Sequence, residues 1–530
     1  MQPKSILKVL LLGLVALQHM EIGAGYRILA AFFFPGKSHF MITDAIIREL
    51  VHRGHEVTFI TPFSLAKENL GANYTEVLIP QYDIWGEIRD LTNTKSPLDM
   101  TDTSTITFLR AAYTMGLSST NFAFEQNEVQ SLINAKDKVG KYYLLLAEQF
   151  FNEGALILGH LYQIPIITVT TFGYSNYLSS LTGIINPWSY VAHGWKPYTN
   201  RMSLMERIDS VFCSFTEEIM RYFWYYSKQN EILQRQLSRQ FKDLPTIKQL
   251  ERNISVILLN SYMPLEAPRP SAFNMIPVGG LHIKSSKPLP TNIKKFLDEA
   301  KDGAIYFSLG SQVRSADLPP EKIQMFLGVF SSLKQRVLWK FEDDKLPNLP
   351  PNVMVQKWMP QTDILNHPNV KVFISHGGLF GTQEAVYYGV PVLGMPVYAD
   401  QFLNIKKGEA AGYALSVSYR TVTEKELRYS LTELLERPKY RDNMKRASLI
   451  FRDRPMGAMD TAMYWIDYVI KHRGAPHLVS EGVKLPWYQF YLLDIVGIAL
   501  AVILLPILGL LLLCPSFRSA KKPKPKSKQN

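Results

Sequence analysis

An α/β architecture with two doubly wound domains is what this sequence predicts, and three observations predict it. Apolar strand-like runs alternate with helical patterns from residue 26 onward. The alternation restarts after a proline-rich break near residue 270, and at 530 residues the chain is too long for one core. "YRILAAFFF" (26–34) reads as a buried strand, followed by "PGKSHF", a helix around Met41–Arg53 and the strand "HEVTFIT" (55–61), which together make a βαβ unit. "KYYLLLAEQF" (141–150), "GALILGHLY" (154–162) and "PIITVT" (165–170) continue the alternation, and the stretch 190–255 is aromatic-rich and helical in pattern. Pro264, Pro268, Pro270, Pro277 and Gly279-Gly280 mark a break. A linker is therefore placed at 266–285, between a first domain at 26–265 and a second at 286–485. The second series runs through "GAIYFSLGS" (303–311), "RVLWKF" (336–341), "VMVQKWMP" (353–360), "VKVFISHGG" (370–378) and "PVLGMPV" (391–397). In such sheets ligands bind outside the carboxyl ends of the strands.

The two ends differ from this globular composition. Lys4 and Lys8, an apolar stretch from Ile6 to Leu17 and small residues at 23–25 have the layout of a secretory signal peptide spanning 1–25. Ile495–Cys514 is an uncharged apolar run, roughly 30 Å long as a helix and enough to cross a bilayer. Trp487, Tyr488 and Tyr491 precede it as interfacial aromatics, so a membrane segment is placed at 490–514. Behind it, the tail 515–530 carries one arginine, five lysines and no acid, half of the net charge of +12. Positive residues stay cytoplasmic, which predicts a single-pass type I protein with its bulk on the lumenal side. The basic balance thus needs no nucleic acid. "KSKQN" resembles a dilysine endoplasmic-reticulum retrieval signal, and Asn73-Tyr-Thr and Asn253-Ile-Ser match the glycosylation sequon. Cys213 is the only lumenal cysteine, so no intramolecular disulfide is available.

Candidate chemistry gathers after strand ends in the second half. Ser308-Leu-Gly-Ser311 is a small turn after a strand, and Trp358 and Gln361 are spaced to face one way. "FISHGGLFGTQEA" (373–385) is a strand, a glycine turn and a helix start; unpaired N–H groups and partial positive charge there suit an anion. Glu384 follows one turn in, and Asp400-Gln401 comes after another strand. A stacking ring, an anion cradle, a carboxylate for a vicinal diol and an Asp/Gln pair for hydroxyls together suit a nucleotide sugar.

The span Trp358–Gln401 resembles the donor-binding signature of the UDP-glycosyltransferases, and "FPGKSHF" and "HGGLFGTQEA" are most similar to insect members. The resemblance covers the whole chain and implies the GT-B fold: an N-terminal acceptor domain facing a C-terminal donor domain. It implies that Trp358 stacks on uracil, that Gln361 contacts the base or ribose, and that Glu384 accepts from the ribose hydroxyls. Ser311, His376 and the backbone near Gly378 and Gly381 would hold the diphosphate, and Asp400 and Gln401 the transferred sugar. Phe380 departs from the asparagine common in relatives, which leaves phosphate contact at that position to the backbone.

The family's general base falls on His39 in "PGKSHF", whose near-neutral pKa suits taking a proton from an acceptor hydroxyl. Glu148, in "LLLAEQFF", stands where relatives carry the aspartate that orients this histidine. The implied reaction is inverting transfer of glucose or glucuronate from UDP-glucose or UDP-glucuronate to a small lipophilic acceptor, of the conjugation and detoxification type. No Asp-x-Asp and no histidine–carboxylate cluster with ligand spacing occurs in the sequence, so no metal and no cofactor is implied beyond the UDP-sugar itself. The alternative is a membrane-tethered, non-catalytic binder of small lipophiles with an idle donor site, toward which the Glu148 replacement leans. Oligomeric state is open, homo-oligomer included.

Overall fold

In this computed structural model residues 25–513 are described, apart from 285, 344, 345 and 347. The expected signal peptide, Cys514 and the basic tail lie outside the described residues. Two all-parallel sheets carry the fold. The first holds β1 (Arg27–Ala31), β2 (Glu56–Thr61), β3 (Tyr74–Leu78), β4 (Leu144–Glu148), β5 (Ile166–Val169), β6 (Ile254–Leu259) and β7 (Met275–Pro277), in the order β3-β2-β1-β4-β5-β6-β7. The second holds β8 (Ala304–Ser308), β9 (Arg336–Lys340), β10 (Val353–Gln356), β11 (Val370–Ser375), β12 (Val392–Gly394) and β13 (Ala414–Ser416), in the order β10-β9-β8-β11-β12-β13.

In each sheet the chain winds outward from its first strand and then jumps to the other side. The order therefore reverses between β1 and β4, and again between β8 and β11. At those points Ala31 pairs with Ala147, and Ser308 with Ser375. Loops leaving the two strands diverge there, which opens a crevice at the carboxyl edge of each sheet. The strands read as near-continuous apolar runs because helices cover both faces. Trp339 on β9 is fully buried, stacked 5.0 Å from Phe307 and edged by Phe330 and Phe341.

Four boundaries differ from the sequence expectation. The first helix begins at Lys37 rather than near Met41, because Gly36 supplies the extended N-cap and the turn is complete in two residues. His39 accordingly sits in a helical first turn instead of a loop. β7 lies inside the stretch expected as linker, its Pro277 accommodated because β7 is the sheet edge. The helix Ala458–Lys471, expected with the second domain, packs on the first: Met463, Ile466 and Val469 share a core with Ile28, Ala30 and Leu258, and Arg53 pairs with Asp460 at 2.7 Å. Finally, the apolar terminal helix runs Leu493–Leu513 with Pro506 inside it; its stretch 493–512 is long and apolar enough to span a membrane and is not buried by the rest of the fold. Cys213 is a buried free thiol, and Asn73 and Asn253 sit exposed at turns.

Candidate functional site

The first crevice holds His39 and Glu148. Glu148 ends β4 and is 2 % exposed, so it is no surface carboxylate. Its Oε1 lies 2.6 Å from His39 Nδ1. Thr171, just past β5, places its hydroxyl 2.9 Å from the same Nδ1 and 3.3 Å from Glu148 Oε1, and Asn152 donates to Glu148 Oε2 at 3.4 Å. With Nδ1–H turned to the carboxylate, the tautomer leaves Nε2 as the lone-pair nitrogen. The ring is wedged between Phe34 and Phe150, at 4.5 and 4.4 Å between centroids, which fixes its plane. Thr171 was not singled out in the sequence. Its signal was there, a hydroxyl ending a strand next to the one that carries Glu148.

The second crevice assembles the donor candidates. Gln361, the first residue of the helix Gln361–Leu365, donates through Nε2 to Glu384 Oε2, and Thr362 donates to Glu384 Oε1 at 2.9 Å. Glu384 is 1 % exposed, and burial raises its carboxyl pKa against those two hydrogen bonds. Trp358 stands exposed beside them on the loop after β10. The amide and carboxylate thus already touch, twenty-three residues apart in sequence.

His376 occupies the glycine turn after β11. Gly377 there has φ 83°, and Gly378 caps the helix Leu379–Tyr388. A Cβ on Gly310 would come within 2.5 Å of His376 Cε1, and one on Gly378 within 2.5 Å of its Nε2, so both positions require glycine. Burial, with Lys340 nearby, brings the His376 imidazole down to about 4, and its Nδ1 has no partner among the described residues. The ring is neutral at pH 7 and offers an anion one N–H rather than a positive charge. Ser311 is exposed on the neighbouring turn after β8, and Gly381 lies in the helix, packed toward Gln361 and Phe373. Phe380 turns its ring onto His282 at 4.8 Å. His282 is itself buried; neither ring nitrogen has a hydrogen-bond partner among the described residues, and its Nε2 lies 3.8 Å from Glu384 Oε1.

Asp400 and Gln401 open the helix Gln401–Ala410. Asn404 donates to Asp400 at 2.9 Å and to the Gly377 carbonyl at 3.0 Å, which ties the acid to the glycine turn. Burial pushes the Asp400 carboxyl up to about 6, opposed by the Asn404 hydrogen bond and by the charges of Lys407 and His39. The Gln401 amide oxygen is committed to the N–H groups of Val397 (2.8 Å) and Tyr398 (3.1 Å), so only its NH₂ is free for a ligand.

The two crevices face each other. His39 and Asp400 are within electrostatic reach across the cleft, and a Cβ on Gly173 would lie 3.8 Å from Leu379 Cδ2. Gln383 locks the hinge side, donating to the Asn260 carbonyl and side chain while accepting from Gly280 N–H. A cavity of about 300 Å³ lies alongside, walled by Phe108, Trp195 and Tyr198 of the first domain and Tyr398, Ala399 and Phe402 of the second. Among the described residues no group of His, Cys, Asp or Glu side chains gathers as an ion site.

The family model "UDP-glucoronosyl and UDP-glucosyl transferase" matches residues 33–524. The chain is 34% identical over 504 residues to UDP-glycosyltransferase UGT5 of Dactylopius coccus, covering 92% of this chain and 91% of that one. It is 32% identical over 477 residues to UDP-glucuronosyltransferase 2B15 of Rattus norvegicus, covering 88% of each. Among solved structures, the calicheamicin glycosyltransferase CalG4 superposes with a TM-score of 0.58 at 15% identity, over 84% of this chain and 99% of that one. The glycosyltransferase VinC gives 0.57 at 14% identity over 84% and 100%. The fold is therefore GT-B. The chain belongs to the UDP-glycosyltransferase family and is an enzyme that transfers a hexosyl group from a UDP-sugar.

Proposed function

We propose that the chain catalyses inverting transfer of glucose or glucuronate to a hydroxyl of a small lipophilic acceptor, with His39 as general base oriented by Glu148. The observation that carries this reading is the 2.6 Å His39–Glu148 contact at the β1/β4 crevice. His39 Nε2 takes the acceptor proton as the acceptor oxygen bonds to the anomeric carbon. The bond from that carbon to the diphosphate breaks on the opposite side, and UDP leaves with the electron pair. Glu148 carries the balancing charge as the imidazolium forms; glutamate reaches Nδ1 as aspartate does in relatives, which favours catalysis over an idle site.

On the donor side, Trp358 would stack on uracil, and Glu384 would exchange its Gln361 and Thr362 contacts for the ribose diol. Neutral His376, Ser311 and the N–H groups at Gly378 and Gly381 would hold the diphosphate, stabilising the departing charge through fixed dipoles. Asp400 and the Gln401 NH₂ would take the sugar hydroxyls. The 300 Å³ cavity, where the rings of Phe108, Trp195 and Phe402 stand beside the polar side chains of Thr103, Thr105 and Lys196, suits a lipophilic acceptor that carries a hydroxyl. The apolar helix 493–512 supports membrane anchorage, and with the basic tail and the sequons at Asn73 and Asn253 it favours a type I protein of the endoplasmic-reticulum membrane with lumenal catalytic domains. The test incubates the membrane-bound full chain with UDP-glucose or UDP-glucuronate and an aromatic alcohol, with mass detection of products. A glycoside formed by the wild type and lost in His39→Ala supports the reading; UDP release at background with every donor would leave a lipophile binder instead.

A further inference from the structure

The helix Leu204–Met220 is built inside out. Its inward face carries Ser210, Ser214 and Glu217, all buried, while its outward face carries Met205, Ile208, Phe212, Phe215 and Ile219, continued one turn on by Phe223. At the rotation of an α-helix these outward positions fall within an arc of about 100° opposite the buried face. The inward polar groups are satisfied: Ser210 accepts from His193 N–H at 2.9 Å, Asn176 donates to Ser214 at 2.7 Å, and Tyr113 and His193 each meet Glu217 at 3.1 Å. The outward stripe is left to solvent, with Met205 74 % and Phe223 73 % exposed. A water-facing helix carries charge on that side, so a continuous apolar stripe calls for an apolar neighbour.

We propose that this stripe rests in the lipid surface, giving the folded domains a second contact with the bilayer besides the helix 493–512; the proposal rests on reading that helix as a membrane span. Continuity with the span argues for lipid. The segment leading into it docks beside the same helix: Ser480 donates to the Gly183 carbonyl at 3.4 Å and Arg252 to the Val483 carbonyl at 3.1 Å. Ser180, three residues before Gly183, bonds Glu218 of the striped helix at 2.7 Å, so the docked segment and the stripe share one corner. The span therefore leaves the fold at the corner where the stripe ends. Apolar faces of this kind lie in the interfacial plane, their side chains among the upper acyl carbons.

The experiment uses the full chain in phosphatidylcholine vesicles, with a specific protease site inserted after Leu485. Resistance to alkaline extraction before the cut reports on the span alone, and its loss would sink that reading and the continuity argument with it, whereas flotation after the cut reads the stripe by itself. After the cut, the folded part of the wild type should float with the vesicles. The Ile208→Glu, Phe212→Glu, Phe215→Glu variant should be released at least tenfold more, with UDP binding unchanged; the corresponding serine set replaces it if glutamate impairs UDP binding. Equal retention or equal release of wild type and variant overturns the proposal. So does a halved mass of the detergent-solubilised variant, which would make the stripe an interface between two copies.

Discussion

Glu148 Oε1 and His39 Nδ1 meet at 2.6 Å although 109 residues separate them, because β4 and β1 are neighbours and both end at the same crevice. The contact sets the tautomer of the base. Glu148→Gln retains a polar partner without the charge that stabilises an imidazolium, so kcat is expected to fall roughly a hundredfold with the donor KM unchanged. His39→Ala should fall further, by about 10³–10⁴. Glu148→Asp should keep more activity than Glu148→Gln. Initial rates at saturating donor check all three.

Glu384 is held by Gln361 and Thr362 until a ligand replaces them. A carboxylate that accepts from a diol loses about 1.5–3 kcal/mol when neutralised. Glu384→Gln is therefore expected to weaken UDP binding about 10- to 100-fold by calorimetry. The wild type should discriminate against 2′-deoxy-UDP, and the variant should bind both alike.

The Asp400 carboxyl, raised by burial to about 6, is protonated below that pH and ionised above it. The ionised form accepts sugar hydroxyls, so the donor KM should rise as pH falls through 6. Asp400→Asn is expected to raise the KM at pH 7 and to abolish its pH dependence.

Arg221, in the wide turn Arg221–Tyr225, bridges Glu153 at 3.2 Å and Glu251 at 2.6 Å inside the first domain, with the Tyr177 ring 4.4 Å away. All three charges are buried. Arg221→Met leaves two carboxylates together without their cation, an expected loss of about 3–5 kcal/mol. A fall in Tm in Arg221→Met that is partly regained by adding Glu153→Gln and Glu251→Gln checks this.

Most of the candidate donor crevice could be proposed from the sequence because, Ser311 apart, its residues lie within one stretch, Trp358–Gln401, at spacings a helix and its turn impose. The fold class was legible through the period of buried strands. His39 and Glu148 could be paired only through the family resemblance, since strand order is a long-range property that no local pattern encodes. Thr171 escaped for the same reason. The start of the first helix was missed because the Pro35-Gly36 turn needs no further loop, and β7 because Pro277 and the prolines before it read as linker although a sheet edge tolerates Pro277. The commitment of the Gln401 oxygen to two backbone N–H groups could come only from coordinates.

The return of the helix Ala458–Lys471 to the first domain has a consequence for biosynthesis. The floor beneath β1 and β6 is supplied by a segment translated about two hundred residues after β6, a delay of roughly 10–40 s at ordinary elongation rates. Until then the sheet face that carries Ile28, Ala30 and Leu258 lacks the cover of Met463, Ile466 and Val469. Shortening the gene before codon 458 would for that reason cripple the half of the protein made first.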